Sequence, residues 1–432
     1  MVLSATRTRL TNGARKAYAA QGERDGLANF FAAIRAGQTG IGAGGIDVIG
    51  IGDSIVSGTG AATYIGDNGW FSYLRMWLQA RYNPPTVPGG FGFYPASVGG
   101  AAYGNGSGAI TSSYSIPGGD YQNGNGTLGK GCGTREFQMT GHLEGADWTV
   151  VWLMTGATDI TRRGITGFDV VGRSGTTMLA INALSPLNVM SIDSNNSAST
   201  PSRGGGTFTT TWNQALGADT YGARKIGARS LTPSTSRRIA IRAPSDVLAY
   251  IVALDGIIAY NGDENAGVRF HNFGNSGAKV GDTVANSLTG MLTPFGTGVG
   301  ANATNAKLVI FNWLVNDVSA ATARATFRAS YTTQMEAALT LASAPSVILF
   351  IPPAYSGVTL ATYMNYVSDV YTVAAAASRP VCVFDLSALC YNEAWAGRWT
   401  GMGANNADGT HPSALAHSTI IPQLLFSLLT PG

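Results

Sequence analysis

The chain has 432 residues, 45% of them hydrophobic and 12% charged, with 58 glycines and a formal net charge of +3. A chain this long exceeds what one hydrophobic core holds, about 250–300 residues, so two parts are expected, and the apolar fraction excludes a disordered chain. So weak a charge, with no basic block denser than Arg224-Lys225 and Arg237-Arg238, argues against nucleic acid or an anionic membrane as partner.

The opening segment, MVLSATRTRLTNGARKAYAAQ, is basic but has no apolar stretch of signal-peptide length, and no later run is long and apolar enough for a membrane span. Residues 26–37, GLANFFAAIRAG, repeat apolar side chains at helical spacing, with Gly37 as the stop. A strand is expected over 46–52, and NGWFSYLRMWLQARY (68–82) reads as an amphipathic helix closed by Pro84 and Pro85. From 85 to about 130, Gly, Ser, Asn and Pro dominate, which predicts a long irregular surface loop. Between about 130 and 265 come short β-rich runs such as REFQMT, DWTVVWLM, GTFTTTW, RRIAIRA, LAYIVAL and GIIAYN. Short strands at such close spacing are the sign of a β-sandwich or jelly roll.

After 265 strands and helices alternate. GVRFHNFG, AKLVIFNWL, SVILFIPP and VCVFDLS read as strands; the segments 319–342 and 360–377 read as helices; SALAHSTIIPQLLFSLL closes the chain as a helix kinked at Pro422. Such alternation implies a parallel sheet covered on both faces. The expected organisation is therefore an α/β domain in two pieces, 1–129 and 266–432, with an inserted β-sandwich domain over 130–265. Cys132, Cys382 and Cys390 are odd in number and lack C-x-x-C spacing, so neither a disulfide framework nor a zinc knuckle is indicated.

Ligands of open parallel sheets bind at the carboxyl ends of the strands. Three polar clusters fall there, Asp53-Ser54, Asn275-Ser276-Gly277 and Asn316-Asp317, and a fourth, ADGTHPS (407–413), precedes the last helix. A serine hydroxyl needs a base, and the base needs a third group to hold its tautomer. Of the four histidines, His142 lies in the β-rich block, His271 in an apolar strand and His417 on the final helix. Only His411 stands in a loop with an acid, Asp408, at D-x-x-H spacing.

In order, G-D-S after the first strand, N-S-G after a later one, N-D after the next and D-x-x-H before the terminal helix resemble the SGNH hydrolases, also called the GDSL esterase/lipase family. The resemblance covers 40–85 and 265–432. It implies a flavodoxin-like three-layer α/β sandwich with a parallel sheet, Ser54 as nucleophile, Asp408 and His411 completing a triad, and an oxyanion hole from Ser54, Gly277 and Asn316. Ile55 replaces the family's leucine after the serine, and Leu314 stands where the family has glycine before x-N-D. A second N-D-like run, VVWLMTGATDI (150–160), carries Thr158 where asparagine belongs and is read as part of the β block. Asp317 and Asp53 are expected to serve loops and backbone amides, and Trp70, Phe91, Phe93 and Tyr94 to border a groove, unless Trp70 joins Tyr73 and Trp77 in the core.

GIGDSI lacks the third glycine of a dinucleotide loop, and no phosphate loop or H-E-x-x-H occurs. The expected chemistry is hydrolysis of O-acyl, chiefly O-acetyl, esters on a cell-envelope or other polysaccharide, with no cofactor and no metal. Two other functions stay open: a carbohydrate-binding structural protein on an idle hydrolase scaffold, such as a phage tail component assembled into a virion, and a lipase. The composition favours a virion, cell-surface or extracellular setting over the cytoplasm.

Overall fold

Continuous apolar runs bounded by glycine or proline form strands buried on both faces in the computed structural model, which describes residues 25–58, 69–89, 92–95, 110–115, 121–123, 137–140, 148–154, 165–175, 189–195, 210–214, 220–232, 237–243, 251–283, 288, 292, 306–355, 357–390 and 409–430. The chain divides into two compact units, one of Met1–Asn83, Val268–Asp282 and Asn305–Gly432, the other of Pro84–Gly267 and Thr283–Thr304. The first helix, α1 (Ala28–Arg35), ends as its sequence requires, with Gly37 at φ 69°. Strand β1 (Ile46–Gly52) follows and is buried throughout. The short helix α2 (Ser54–Ser57) and the longer α3 (Trp70–Tyr82) complete the first stretch of this unit.

The second unit is built from antiparallel strands. One of its sheets runs β10 (Thr220–Ala228), β7 (Gly167–Ser174), β12 (Ile251–Tyr260), β2 (Gly92–Pro95), with β5 (Phe137–Thr140) also on β12 and β4 (Tyr121–Asn123) on β5. The other runs β3 (Ile110–Ser115), β6 (Trp148–Met154), β11 (Arg237–Ala243), β8 (Val189–Asn195), β9 (Thr210–Asn213). Two expectations change here. The stretch 85–130 is not wholly irregular, since β2, β3 and β4 lie in it; each is held by cross-strand pairing to β12, β6 and β5 rather than by any local period. IVAL and GIIAY, the parts of LAYIVAL and GIIAYN that lie in β12, belong to one strand, whose register against β7 shifts between Leu254 and Gly256, a bulge that reads as a boundary in sequence.

Back in the first unit, β13 (Val268–Gly274), β14 (Ala306–Asn312), β15 (Ser346–Ile351) and β16 (Cys382–Asp385) join β1 in a parallel sheet of order β13-β1-β14-β15-β16. Numbered within this unit the order is 2-1-3-4-5, the doubly wound arrangement whose ligands bind beyond the carboxyl ends of the strands. Helices α4 (Val315–Ser319), α5 (Arg324–Leu339), α6 (Leu360–Ala375), α7 (Leu386–Cys390) and α8 (Ile421–Leu429) follow the strands.

Strand periodicity puts helices on both faces. Phe311 of β14 is in register with Leu349 of β15, so Phe350 looks the other way. Phe311 meets Tyr331 of α5 at 6.3 Å between ring centroids, whereas Phe350 meets Trp70 of α3 at 5.4 Å. Gly50 of β1 lies on that second face, where a Cβ would stand 2.7 Å from the Phe71 ring. The last helix is not simply kinked at Pro422. A π-turn (Ala416–Ile420) precedes it, and the proline sits in the first turn of α8, where its missing N–H and its ring disrupt the preceding turn rather than the helix itself.

Candidate active site

The turn that carries Ser54 begins where β1 stops. Gly52 is glycine because of crowding: a Cβ there would lie 2.3 Å from the Asn312 carbonyl oxygen and 2.6 Å from Val56 Cγ2. It is Gly58, at φ 88°, that supplies the left-handed conformation, closing α2 at its carboxyl end. Between them Asp53 caps the turn, its Oδ1 accepting from the Ile55 amide at 2.9 Å. Ser54 is the first residue of the turn, so its own amide has no intrahelical acceptor. The carbonyls of α2 are taken up by side chains: Ser57 Oγ donates to Ser54 O at 2.8 Å and Asn272 Nδ2 to Val56 O at 3.0 Å. Asn272 was not anticipated. An asparagine inside an apolar strand, where that residue is disfavoured, is the signal that marks it.

Register carries the other clusters to the same end of the sheet. Gly52 pairs with Gly274 of β13 and Asn312 of β14, so Ser54, Gly277 and Asn316 follow the ends of three adjacent parallel strands. The Asn275 amide donates to Gly52 O at 2.8 Å, which ties the second cluster to the first. Gly277, at φ 82°, occupies the third position of a turn closed by Ala278 N–H to Asn275 O at 3.1 Å, a place that demands φ above zero. Asn316 Nδ2 donates to Ala278 O at 3.0 Å, so one amide proton fixes the side chain beside this turn while the other stays available to a ligand. Leu314, in the place of the family's glycine, is held at φ 153° and fully buried. The backbone here keeps a glycine-like conformation without a glycine, at a cost of about 1–3 kcal/mol.

His411 Nε2 stands 2.9 Å from Ser54 Oγ. This is hydrogen-bond distance, across 357 residues of sequence. Asp408 lies outside the described residues, as do Phe91 and Thr158. Trp70 is fully buried against Phe71 and Phe350, so it belongs to the core and not to a groove wall, and Phe93 is buried as well.

Two buried carboxyls, Asp53 and Asp317, interact near the end of β1. Burial raises Asp53 to about 7, opposed by the Ile55 amide and reinforced by repulsion from Asp317. Burial likewise raises Asp317 to about 6, against the pull of the Val280 amide, which donates to its Oδ2 at 3.0 Å. Asp53 Oδ2 and Asp317 Oδ1 are buried without a hydrogen-bond partner among the described residues. Both aspartates thus serve backbone amides. Trp313 Nε1 donates to Gln334 Oε1 and Gln334 Nε2 to Val280 O, so α5 ties the residues just before α4 to the turn at Val280–Asp282. No group of metal-ligating side chains occurs among the described residues, nor is any helix among them long and apolar enough to cross a membrane.

No protein-family model and no curated protein sequence matches the chain. Among solved structures, a peptidoglycan O-acetylesterase superposes with a TM-score of 0.61 at 14% identity, over 92% of this chain and 94% of that one. An acetyl esterase mutant matches 38% of this chain and 71% of its own at 20% identity with a TM-score of 0.27. A family two carbohydrate esterase from Corynascus thermopiles matches 68% and 98% at 9% identity with a TM-score of 0.28. The first of these likenesses establishes the fold, a mixed α/β arrangement with a large, mainly parallel sheet and helices.

Proposed function

We propose that this protein is a serine esterase that removes O-acyl groups, chiefly O-acetyl, from a cell-envelope or other polysaccharide through an acyl-enzyme. The observation that carries the proposal is the 2.9 Å contact between His411 Nε2 and Ser54 Oγ at the carboxyl end of β1. Ser54 Oγ attacks the ester carbonyl carbon while His411 Nε2 takes its proton. The carbonyl oxygen becomes an oxyanion, received by the amides of Ser54 and Gly277 and by Asn316 Nδ2, donors each worth about 10²–10³ in rate. The tetrahedral intermediate then breaks the bond to the sugar oxygen, which leaves with the proton held on His411. Water repeats the sequence on the acyl-enzyme, releasing the carboxylic acid and restoring Ser54. Asp408 is assigned to orient the imidazole and stabilise its charged form.

The likeness in fold to a peptidoglycan O-acetylesterase supports an acetylated glycan as substrate. The β-rich segment 130–265 is read as a domain inserted in the hydrolase domain. The test is hydrolysis of p-nitrophenyl acetate and longer homologues by the wild type, Ser54→Ala and His411→Ala, with mass spectrometry after a serine-directed phosphonate. Both variants are expected to lose more than about 10³ in kcat, with the adduct on Ser54 in the wild type. An inert wild type with Ser54 unlabelled refutes the esterase, and cleavage of long acyl chains only refutes the acetylated glycan.

A further inference from the structure

Helix α3 begins without a local cap. Its N-cap residue is Gly69, which has no side chain to accept from the first-turn amides, although Ser72 and Tyr73 both donate to its carbonyl, at 3.0 and 3.3 Å. The acceptor for Trp70 N–H comes instead from the far end of the chain: His417 Nδ1, at 3.1 Å. His417 is completely buried and lies within the π-turn Ala416–Ile420, six residues beyond His411. A backbone amide only donates, so Nδ1 must carry the lone pair and the imidazole is held in one tautomer.

The same tryptophan makes a second bond in the other direction. Trp70 Nε1 donates to the Ile55 carbonyl at 3.0 Å, within the turn that presents Ser54. Its ring is pinned between Phe71 and Phe350, with centroids 5.4 Å away in each case and both contacts edge-on. A closed circuit results. It runs from Ser54 to Ile55 O, through Trp70 to His417, back along the chain to His411, and across the 2.9 Å contact to Ser54. The nucleophile's turn and the segment that bears its base are otherwise joined by very different stretches of sequence. A buried residue bonded to both is the means by which their spacing is set.

We infer that Trp70 and His417 are positioning residues for the Ser54–His411 pair: the buried Trp70 grips the nucleophile turn through its indole, and His417 fastens it to the base-bearing segment. This rests on the esterase reading above for its catalytic consequence, though not for its geometry. Neither residue touches the reacting atoms. Their effect belongs in kcat, since a displacement of about 1 Å between reacting groups is worth about 10² in rate, while substrate affinity is set elsewhere.

The experiment compares the full chain as wild type, Trp70→Phe, His417→Asn and His417→Leu. Kinetics with p-nitrophenyl acetate are measured together with thermal unfolding and the ¹⁵N imidazole signals of His411, using Ser54→Ala as the reference for a lost Nε2 contact. Asparagine places an amide oxygen near the Nδ1 position and can still accept from the Trp70 amide; leucine cannot. Expected are a fall in kcat of about 10–100-fold with KM within about twofold for Trp70→Phe and His417→Leu, rescue to within about threefold by asparagine, and imidazole signals displaced toward the Ser54→Ala reference only in the first two. Wild-type kcat and unshifted signals in a folded Trp70→Phe protein overturn the inference, as does an asparagine variant no better than leucine. Should His417→Leu not fold, a folded Trp70→Phe decides alone, because it keeps an aromatic ring and the backbone amide bonded to His417 while losing the indole donor, and thermal unfolding registers the accompanying loss of volume. If the wild type hydrolyses no ester, the esterase reading falls while the His411 signals still decide the positioning role.

Discussion

Gly277 needs its glycine for backbone shape and not for space. A Cβ at that position meets nothing within 4 Å, yet φ is 82°. Gly277→Ala is therefore expected to rotate the turn so that its amide leaves the proposed oxyanion position, with strain of about 1–2 kcal/mol. Steady-state kinetics should show kcat lower by up to about 10²-fold at nearly constant KM, with a small fall in Tm; unchanged kcat would remove Gly277 from the oxyanion hole. Leu314 shows the reverse solution, a side chain kept at φ 153° because the surrounding structure fully buries it. Ser54, Gly277, Asn316 and His411 were legible as residue types at strand ends or in a loop. Trp70 was legible only as an apolar residue at helical spacing, because its indole N–H matters through a carbonyl that no local pattern places beside it.

At the level of elements, two close approaches set where the strands stop. One is at Gly274, where a Cβ would stand 2.2 Å from the Ser57 amide nitrogen, and the other is at Gly52, whose added methyl would strike the backbone of Asn312, an obstacle that yields only if β1 and β14 separate. Gly52→Ala is expected to lose roughly 1–3 kcal/mol or more in a denaturant titration. Gly281→Ala is the control: its Cβ would meet only Ser330 Oγ, at 3.7 Å, and its midpoint should stay near that of the wild type. A Gly52→Ala midpoint equal to the control's would mean that the strand ends are looser than their packing shows. The parallel strands and their helices were readable because each is long, strongly patterned and closed by Gly or Pro. The strands β2, β3 and β4 were not, since glycine- and serine-rich sequence pairs only when a partner edge is offered. The π-turn likewise escaped notice, as Pro422 announces a disturbance without saying what shape it takes.

Across the whole molecule, the buried acids set how stability responds to pH. Asp53 and Asp317 have folded values of about 7 and about 6, both above the ordinary 3.8. The folded protein therefore keeps protons that the unfolded chain releases, so their contribution is complete below about pH 4 and is lost as pH rises through 6 and 7. Asp47 has the opposite sign. Burial pushes its carboxyl up, but Arg269 and His271 at hydrogen-bond distance hold it far below the usual range, and its contribution is lost as pH falls below about 4. Asp317→Asn stays neutral at every pH, so its Tm relative to the wild type should climb between pH 4 and 7.5. A flat difference would mean that Asp317 ionises normally. Sequence by itself determined the alternation of strands and helices, the ends at which polar clusters stand, and the one histidine placed in a loop beside an acid, because these depend on local periodicity, backbone preference and residue chemistry. Only the tertiary structure decided that β1 lies between β13 and β14, that the carboxyls of Asp53 and Asp317 are buried within reach of each other, and that a histidine on the last helical segment caps α3. Those outcomes depend on contacts between residues hundreds of positions apart, whose distances exist only after the sheet has closed.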